Sequence, residues 1–80
     1  MTNLEKYDSA FLSSMNIEPE QLNDNLAYGR TKEWNSLSHF DMITMLEEYF
    51  DISISSVDVV RFNTYAKGKE LLVSYGVKVE

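Results

Sequence analysis

The side chains that could carry out catalysis are few, and their spacing does not suit it. His39 is the only histidine of the chain. A Ser-His-Asp triad would have to use it, but Ser36 lies on the same predicted helix and nothing supplies an oxyanion hole. We therefore interpret His39 as a hydrogen-bonded or solvated histidine. Thiol chemistry is excluded because the chain has no cysteine, and its 3 glycines stand alone, so they form no glycine-rich phosphate-binding loop.

The acidic residues do not form a catalytic or metal-binding pattern either. Glu47 and Glu48 are adjacent, so on a helix their side chains diverge by about 100° and cannot converge as an acid/base pair. Asn23-Asp24-Asn25 lacks the ligand spacing, the glycine and the closing glutamate of an EF-hand loop. We therefore expect no enzymatic activity and no built metal site, and leave open only a loose binding of divalent cations by the acidic side chains.

Length and charge limit the function further. The chain has 80 residues and a formal net charge of -6. A domain of this size buries only about 60% of the surface that its unfolded chain exposes, so we expect a single domain over residues 1–80 with a thin core. Because an acidic domain repels phosphate backbones, we expect no nucleic-acid partner and instead expect proteins with basic surfaces.

The cellular location is predicted from what the chain lacks. The absence of cysteine fits a reducing compartment. The first residues resemble neither a secretory signal nor a transit peptide, and no apolar run approaches the roughly 18 residues of a membrane span. We predict a soluble, cytoplasmic monomer that does not insert into membranes.

The first part of the chain predicts a helix followed by a long loop. Apolar residues recur from Leu4 with helical spacing, and Thr2 with Glu5 has the pattern of a capping box, so we predict a helix over about residues 3–14. Turn-forming residues then dominate residues 16–34 and predict an ordered loop. We expect five apolar side chains to anchor this loop: Ile17, Leu22, Leu26, Tyr28 and Trp34.

Residues 36–50 contain strong helix formers and neither glycine nor proline, so they predict the second helix. On a helical wheel, one side is apolar and the other carries most of the acids. The apolar side contains Met42, Ile43, Leu46, Tyr49 and Phe50. The opposite side contains Leu37, Asp41, Thr44, Glu47 and Glu48, with Phe40 and Met45 on the flanks. Leu37 is therefore either a stray exposed leucine or a contact residue within an acidic docking surface.

The remaining sequence predicts two further helices. The brief Ile-Ser-Ile alternation after the second helix is too short for a strand, so we interpret it as a loop. A capping-box pattern at Ser55 opens a short third helix. Asn63 is predicted to cap a last helix over about residues 64–75, which Gly76 closes. The expected fold is all-α, a four-helix bundle with a long loop between helices 1 and 2 and a short third helix.

Three short segments around the second helix carry a resemblance to a known family. They read Asn35-Ser36-Leu37, Phe40-Asp41-Met42-Ile43 and Leu46-Glu47-Glu48-Tyr49-Phe50. This pattern resembles the acyl carrier protein family, in which Asp-Ser-Leu begins the second helix and a Leu-Glu-Glu run follows. The resemblance continues through the third and fourth helices and covers essentially the whole chain in register.

The resemblance implies a covalent prosthetic group. A phosphopantetheinyl transferase would attach 4′-phosphopantetheine to Ser36 through a phosphodiester. The position suits an anion, because a helix N-terminus offers unpaired backbone N–H groups and the positive end of the helix dipole. The alternative is purely structural: Ser36 is itself the N-cap, or Ser38 caps the helix with Asp41 at the third helical position.

The sequence departs from the family pattern in two places. Asn35 stands where the family has aspartate, and it keeps the acceptor oxygen but loses the negative charge, so we expect slower modification or a dedicated transferase. Val57 and Val60 stand in the short helix where relatives often carry acids. These valines reduce the acidic surface that would meet a partner.

The resemblance also implies two sets of site residues. The partner-binding set, which would dock on basic patches of acyl-loading, acyl-transferring or condensing enzymes, is Asn35, Leu37, Phe40, Asp41, Thr44, Met45, Glu47 and Glu48. The acyl-pocket set, between the helices, is Met42, Leu46, Ile54, Val59 and Phe62. Core packing is the other interpretation of the second set, and a solvated helix face is the other interpretation of the first.

The implied function is that of an acyl carrier, which holds acyl groups as thioesters on the pantetheine thiol in a fatty-acid, polyketide or polysaccharide-linked pathway. Such a carrier is not an enzyme. Its cofactor supplies the thiol that the chain lacks. Two alternatives stay open: an interaction module with the same fold and no prosthetic group, and a peptidyl or aminoacyl carrier that differs only in cargo.

Overall fold

The computed structural model describes residues 1–80 as four α-helices joined by loops. The helices are α1 (Asn3–Met15), α2 (Ser36–Phe50), α3 (Ser56–Arg61) and α4 (Tyr65–Val73), and a short 3-10 turn, Pro19–Gln21, lies in the first connection. There is no strand, only two isolated bridge contacts. None of the helices has the length and apolar character needed to cross a membrane. The predicted all-α fold, with its long first loop and short third helix, is confirmed.

Local hydrogen bonds explain where α1 and α2 begin and end. The Thr2 hydroxyl accepts from the Glu5 N–H at 3.1 Å, and the Thr2 N–H donates to the Glu5 carboxylate at 2.8 Å, so the predicted capping box is present. α2 has the predicted bounds. Asn16 and Asp51, which follow the two helices, adopt left-handed backbone conformations with φ of 54° and 53°. Asn and Asp tolerate this conformation better than most residues.

The last helix begins differently from the prediction. Thr64, not Asn63, is the N-cap of α4, and its hydroxyl accepts from the Lys67 N–H at 2.9 Å. Asn63 instead uses its carbonyl to accept from the Tyr28 N–H of the first loop at 2.9 Å. The helix also ends earlier than predicted, at Val73, and Gly76 with φ of 84° lies in the turn that follows.

Tyr75 connects the end of α4 to the start of α3. The Ser55 hydroxyl accepts from the Asp58 N–H at 3.2 Å, as the capping pattern predicts. The Asp58 carboxylate does not close a capping box, because it accepts from the Tyr75 hydroxyl at 2.6 Å. The Ser55 N–H donates to the same hydroxyl at 2.9 Å. The short helix is therefore held at its N-terminus by a tyrosine from outside it.

The core is built around five buried aromatic rings from distant parts of the chain: Tyr7, Phe11, Trp34, Phe62 and Tyr65. Phe11 contacts Trp34 edge-on with ring centroids 5.3 Å apart, and it lies 6.1 Å from the ring of Phe62. Aromatic pairs at these separations add stability beyond the area they bury. One cluster thus joins α1, the end of the long loop and the α3–α4 junction.

Two tyrosine hydroxyls are satisfied within this core. The Tyr7 hydroxyl donates to the Tyr65 carbonyl at 2.6 Å, and the Tyr65 hydroxyl donates to the Asp8 carboxylate at 2.5 Å. Burial raises the pKa of Tyr7 above its ordinary value, and burial together with the Asp8 hydrogen bond raises the pKa of Tyr65. Both phenols serve as donors that tie α4 to α1.

The first connection is ordered by backbone pairing as well as by its apolar side chains. The Leu26 carbonyl accepts from the Tyr65 N–H at 3.0 Å, which fixes the loop against the start of α4. Of the five predicted anchors, Ile17, Leu26 and Trp34 are buried and Leu22 is partly buried. The prediction is wrong for Tyr28, which is 45% exposed and rests its ring edge-on against His39 at 5.5 Å.

Gly68 marks the closest approach of α4 to the aromatic core. A Cβ at this position would overlap the Phe62 ring and the Tyr7 hydroxyl. We predict that Gly68→Ala lowers the stability by about 1–3 kcal/mol or more, the usual cost of overpacking. This would reduce Tm by roughly 4–8 °C per kcal/mol in a thermal melt followed by circular dichroism.

The sign of this effect is the critical result, because helix propensity alone favours alanine over glycine by about 1 kcal/mol. A rise in Tm would show that α4 at Gly68 leaves room for a methyl group beside the Phe62 ring and the Tyr7 hydroxyl. A matched test is the double variant Gly68→Ala/Phe62→Leu. Removing the ring that the new methyl group meets should make the two costs less than additive.

Candidate functional site

Ser36 is the first residue of α2 and is exposed. The residue before it, Asn35, has an extended backbone with φ of -116° and is the N-cap. The hydroxyl of Ser36 therefore stands at the boundary of loop and helix, and no cap hydrogen bond uses it. This is the steric situation that a modifying enzyme requires.

The cap is a reciprocal pair of side chains around Ser36. The Asn35 side-chain oxygen accepts from the N–H groups of Leu37 and Ser38, each at 3.1 Å. The Ser38 hydroxyl accepts from the Asn35 N–H at 3.0 Å and donates to the Glu33 carbonyl at 2.7 Å. The structural alternatives, Ser36 or Ser38 as N-cap, are therefore wrong: Ser38 is the third helical residue, and Asn35 alone has the reach and position to accept from the first turn.

This cap also corrects the expectation that an anion at this end of α2 meets several unpaired N–H groups. Asn35 already occupies those of Leu37 and Ser38, and the His39 N–H donates to the Asn35 carbonyl at 2.9 Å. Only the Ser36 N–H remains unused in the first turn. An anion on the Ser36 hydroxyl would thus be stabilised by the helix dipole and by one amide, not by a full anion nest.

His39 is buried directly behind this surface and uses both ring nitrogens. The Trp34 indole N–H donates to His39 Nδ1 at 2.9 Å, and His39 Nε2 lies 2.8 Å from the Val59 carbonyl. Because Nδ1 accepts and a carbonyl can only accept, the hydrogen of the neutral ring is on Nε2. The interpretation of His39 as a hydrogen-bonded structural histidine is confirmed. We call the two hydrogen bonds from Trp34 to His39 and from His39 to Val59 the relay. The relay joins the end of the long loop, α2 and α3.

A surface groove that Ser36 helps to line lies among the first loop, α2 and α3. It has a volume of about 310 Å³. Its base is buried, formed by Phe62 and His39, and its rims are exposed, formed by Phe40 (62% exposed) and Val60 (79% exposed). The complete lining is Tyr28, Ser36, His39, Phe40, Val59, Val60 and Phe62. Since both nitrogens of His39 are already bonded, the walls of this Ser36 groove are mainly apolar.

The predicted acyl-pocket residues do not form one cavity. Val59 and Phe62 line the Ser36 groove. Met42 and Leu46 are 0% exposed and packed within the core cluster. Ile54 is partly buried in the loop after α2, where its N–H donates to Glu47. The core-packing interpretation is therefore correct for Met42 and Leu46. Of the five predicted pocket residues, only Val59 and Phe62 line the groove.

The predicted partner-binding residues fall into two groups. Six are exposed on or just before α2: Asn35, Leu37, Phe40, Asp41, Thr44 and Glu48. Met45 is partly buried, and Glu47 is partly buried with one carboxylate oxygen accepting from the Ile54 N–H at 2.8 Å. That carboxylate holds the loop after α2 in place, so Asp41 and Glu48 are the acids of this set that face solvent.

Sequence reasoning missed three residues of the site. The sequence predicts Tyr28 as an apolar anchor of the first loop, gives no link between Trp34 and His39, and marks Val60 only as a missing acid. Val57 and Val60 lie three residues apart and so share one face of the short helix, but the spacing does not show whether that face is buried or exposed. No pattern in the sequence predicts the pairing of Trp34 with His39, because it depends on how the loop folds back.

Comparison with known proteins identifies no relative. No protein-family model, no curated protein and no solved structure matches this chain. Within the structure, no group of three or more histidine and acidic side chains could hold a metal ion. The geometry around Ser36 and the motif resemblance are therefore the observations that bear on function.

Removing one member of the relay should lower the free energy of unfolding. Trp34→Phe removes the indole N–H and leaves buried Nδ1 of His39 without a donor, so we expect a loss of about 1–3 kcal/mol in the free energy of unfolding, plus the cost of the lost volume. The measurement is urea denaturation of the wild type, Trp34→Phe, His39→Phe and the double variant. In the His39→Phe background the Trp34→Phe substitution should cost less, because no nitrogen is then left unpaired. Additive costs, within about 0.5 kcal/mol, would contradict the relay.

Proposed function

We propose that this protein is an acyl carrier whose prosthetic group, 4′-phosphopantetheine, is attached to Ser36. The observation that carries the proposal is the position of this serine: exposed at the first residue of α2, with the capping bonds made by its neighbours. The Asn-Ser-Leu and Leu-Glu-Glu resemblance and the all-α fold with a long first loop also support it. On this proposal the fold is a four-helix bundle of the acyl-carrier type.

The attachment reaction requires only an accessible hydroxyl from this chain. A phosphopantetheinyl transferase would join Ser36 Oγ to the phosphorus of the 4′-phosphopantetheine part of coenzyme A. The pyrophosphate bond of coenzyme A breaks, adenosine bisphosphate leaves, and the hydroxyl proton is lost. The residues present fit the group: the hydroxyl is free of the cap, the positive end of the α2 dipole favours the phosphodiester charge, and the adjoining groove is apolar. When bound, the group supplies a thiol that carries acyl groups as thioesters.

The exposed side of α2 supports a role in meeting partner enzymes. Asp41 and Glu48 can steer basic surfaces towards Ser36, while Leu37 and Phe40 offer apolar contact area. Weak and fast encounters suit a carrier, because each partner must release it. The proposed partners are the transferase and enzymes that load, transfer or condense acyl groups, in the cytoplasm.

A second candidate is an interaction module that keeps the fold and carries no prosthetic group. The observation that favours it is Asn35: the residue meets the needs of the cap without the charge that the family pattern places there. A peptidyl or aminoacyl carrier would use Ser36 in the same way with different cargo. The interaction module differs from the acyl carrier in one measurable property, which is whether Ser36 is modified.

The direct test is intact mass after incubation with coenzyme A and a promiscuous phosphopantetheinyl transferase. We expect a gain of one phosphopantetheinyl group in the wild type. Ser36→Ala should show no gain while remaining folded, because Ser36 makes no cap hydrogen bond.

The matched control is Ser53→Ala, a substitution at another exposed serine, which should gain the same mass as the wild type. An unmodified wild-type chain, or a gain that survives Ser36→Ala, would reject the carrier proposal. The first of these results would favour the interaction module.

The effect of charge at position 35 can be tested separately from the cap. In Asn35→Asp a carboxylate oxygen can make the same two cap bonds, so the fold should be unchanged, and the added charge should help a transferase that presents a cation. An exposed ion pair contributes about 0.2–1 kcal/mol, so we expect a 1.4- to 5-fold rise in kcat/KM of modification, measured by the initial rate of mass gain.

Asn35→Ser is the matched control, because serine also caps well and carries no charge. Its rate should stay near that of the wild type. The advantage of Asn35→Asp should shrink as salt is raised, since screening weakens exposed charge pairs. Equal rates for all three proteins at low salt would remove the electrostatic explanation.

A further inference from the structure

The hydrogen bond between Trp34 and His39 exists in only one protonation state of the histidine. Trp34 is 0% exposed and His39 is 7% exposed, so water has little access to the bond between them. The indole N–H can only donate, and it donates to Nδ1 at 2.9 Å. The bond therefore requires that Nδ1 carries no hydrogen.

Proton uptake by His39 would break this bond. In the imidazolium form both ring nitrogens carry hydrogens, so Nδ1–H would face the indole N–H of Trp34. Turning the ring over does not relieve the conflict, because both nitrogens are then donors. The Val59 carbonyl, 2.8 Å from Nε2, can accept from the ring in either form. Acid therefore disrupts the Trp34 end of the relay and leaves the Val59 end intact.

No neighbouring charge compensates for a proton on His39. Ion pairs join Arg61 to Asp58 and Lys67 to Glu70, and none includes the histidine. The titratable and charged side chains on the segments packed against the ring are Tyr28, Arg30, Lys32 and Glu33 of the first loop, Asp41, Glu47 and Glu48 of α2, and Asp58 and Arg61 of α3. None of them hydrogen-bonds to the ring, whose two partners are Trp34 and Val59. A buried imidazolium would thus be an unpaired charge next to an unpaired indole N–H, and both are unfavourable.

We propose that the relay is an acid-sensitive switch that releases the end of the first loop from α2 when His39 takes up a proton. The inference does not depend on the proposed function, because it requires neither a prosthetic group nor a partner. Trp34 directly precedes Asn35, the N-cap of α2, so its release also loosens the helix start at Ser36.

The switch is local, because the other side of the bundle does not use the relay. The Tyr7 hydroxyl donates to the Tyr65 carbonyl, and the Tyr65 hydroxyl donates to Asp8. These bonds tie α4 to α1 without involving His39. The end of the first loop therefore separates from α2 while α1 and α4 stay packed.

The test is an NMR pH titration of the labelled protein from about pH 8 to about pH 5, the range in which histidine changes its charge. The chain has one tryptophan and one histidine, so both signals are unambiguous. We expect the His39 ring to carry its hydrogen on Nε2 at high pH and hydrogens on both nitrogens at low pH. The Trp34 indole N–H resonance should shift with the same midpoint.

Hydrogen exchange measures how far the loop end opens. After correction for the pH dependence of intrinsic exchange, the indole N–H should exchange about 5- to 150-fold faster at low pH, as expected for the loss of one buried hydrogen bond. The backbone amides of Phe11 in α1 and Leu72 in α4 should keep their protection over the same range.

Two variants separate the switch from a general effect of acid. In His39→Asn the amide oxygen takes a position close to that of Nδ1 and can accept from Trp34, but it does not titrate, so the indole signal should stay constant. In Trp34→Phe the opposing donor is gone, so His39 should take up its proton at a higher pH than in the wild type. The second variant tests the proposal even if the first does not fold.

The stability of the protein should follow the same titration. In an unfolded chain, histidine takes up a proton near about pH 6.5, whereas the folded relay resists it. The unfolded state then binds more protons, so the free energy of unfolding falls as the pH decreases through this value. Urea denaturation should show a steeper fall for the wild type than for His39→Asn.

Four results would overturn the proposal. They are an indole signal that does not respond when His39 titrates, a response that persists in His39→Asn, a neutral ring with its hydrogen on Nδ1, and a loss of α1 and α4 protection together with that of the indole. The last result would mean that acid unfolds the whole domain. The attachment test at Ser36 is separate, so its failure would leave this inference standing.

Discussion

The surroundings of Ser36 depend on one buried chain of hydrogen bonds, from the Trp34 indole to His39 and from His39 to the Val59 carbonyl. A buried polar group left unpaired costs about 1–3 kcal/mol, a large part of the roughly 5–15 kcal/mol that holds a domain together. The relay can be satisfied only if the long loop returns to α2 and α3 lies alongside. These hydrogen bonds therefore link α2, which begins at Ser36, to the end of the first loop and to α3.

The small size of the domain explains why the groove lies on the surface and not inside. With a thin core, the aromatic rings of Phe11, Trp34 and Phe62 fill the space between the helices, and Gly68 is needed to let α4 approach them. Little volume is left for a ligand within. Apolar side chains such as Phe40 and Val60 remain exposed at the surface and line the groove beside Ser36.

The predictions that are confirmed depend on interactions between residues close in sequence. The Thr2 and Glu5 capping box and the bounds of α2 follow from hydrogen bonds and propensities within a few residues. The N-cap of α4 is Thr64 and not the predicted Asn63, because the Thr64 hydroxyl accepts from the Lys67 N–H, while the Asn63 backbone carbonyl accepts from the Tyr28 N–H of the loop. The N-cap of α2 is Asn35, and not Ser36 or Ser38, because the Asn35 side-chain oxygen accepts from the N–H groups of Leu37 and Ser38.

Short-range rules are enough to place Ser36 at the start of an acidic helix, because helix boundaries are decided by the side chains that cap them. They also identify the apolar side of α2, because its 3.6-residue period is contained in the order of the residues. Only the tertiary structure shows that Met42 and Leu46 are buried in the core. Only it shows that the Glu47 carboxylate accepts from the Ile54 N–H. It also brings Tyr28, Phe40 and Val60 into one groove with Ser36. Those contacts join residues from the first loop, α2 and α3. These segments are far apart in sequence, so the contacts form only when packing of the aromatic core brings the segments together.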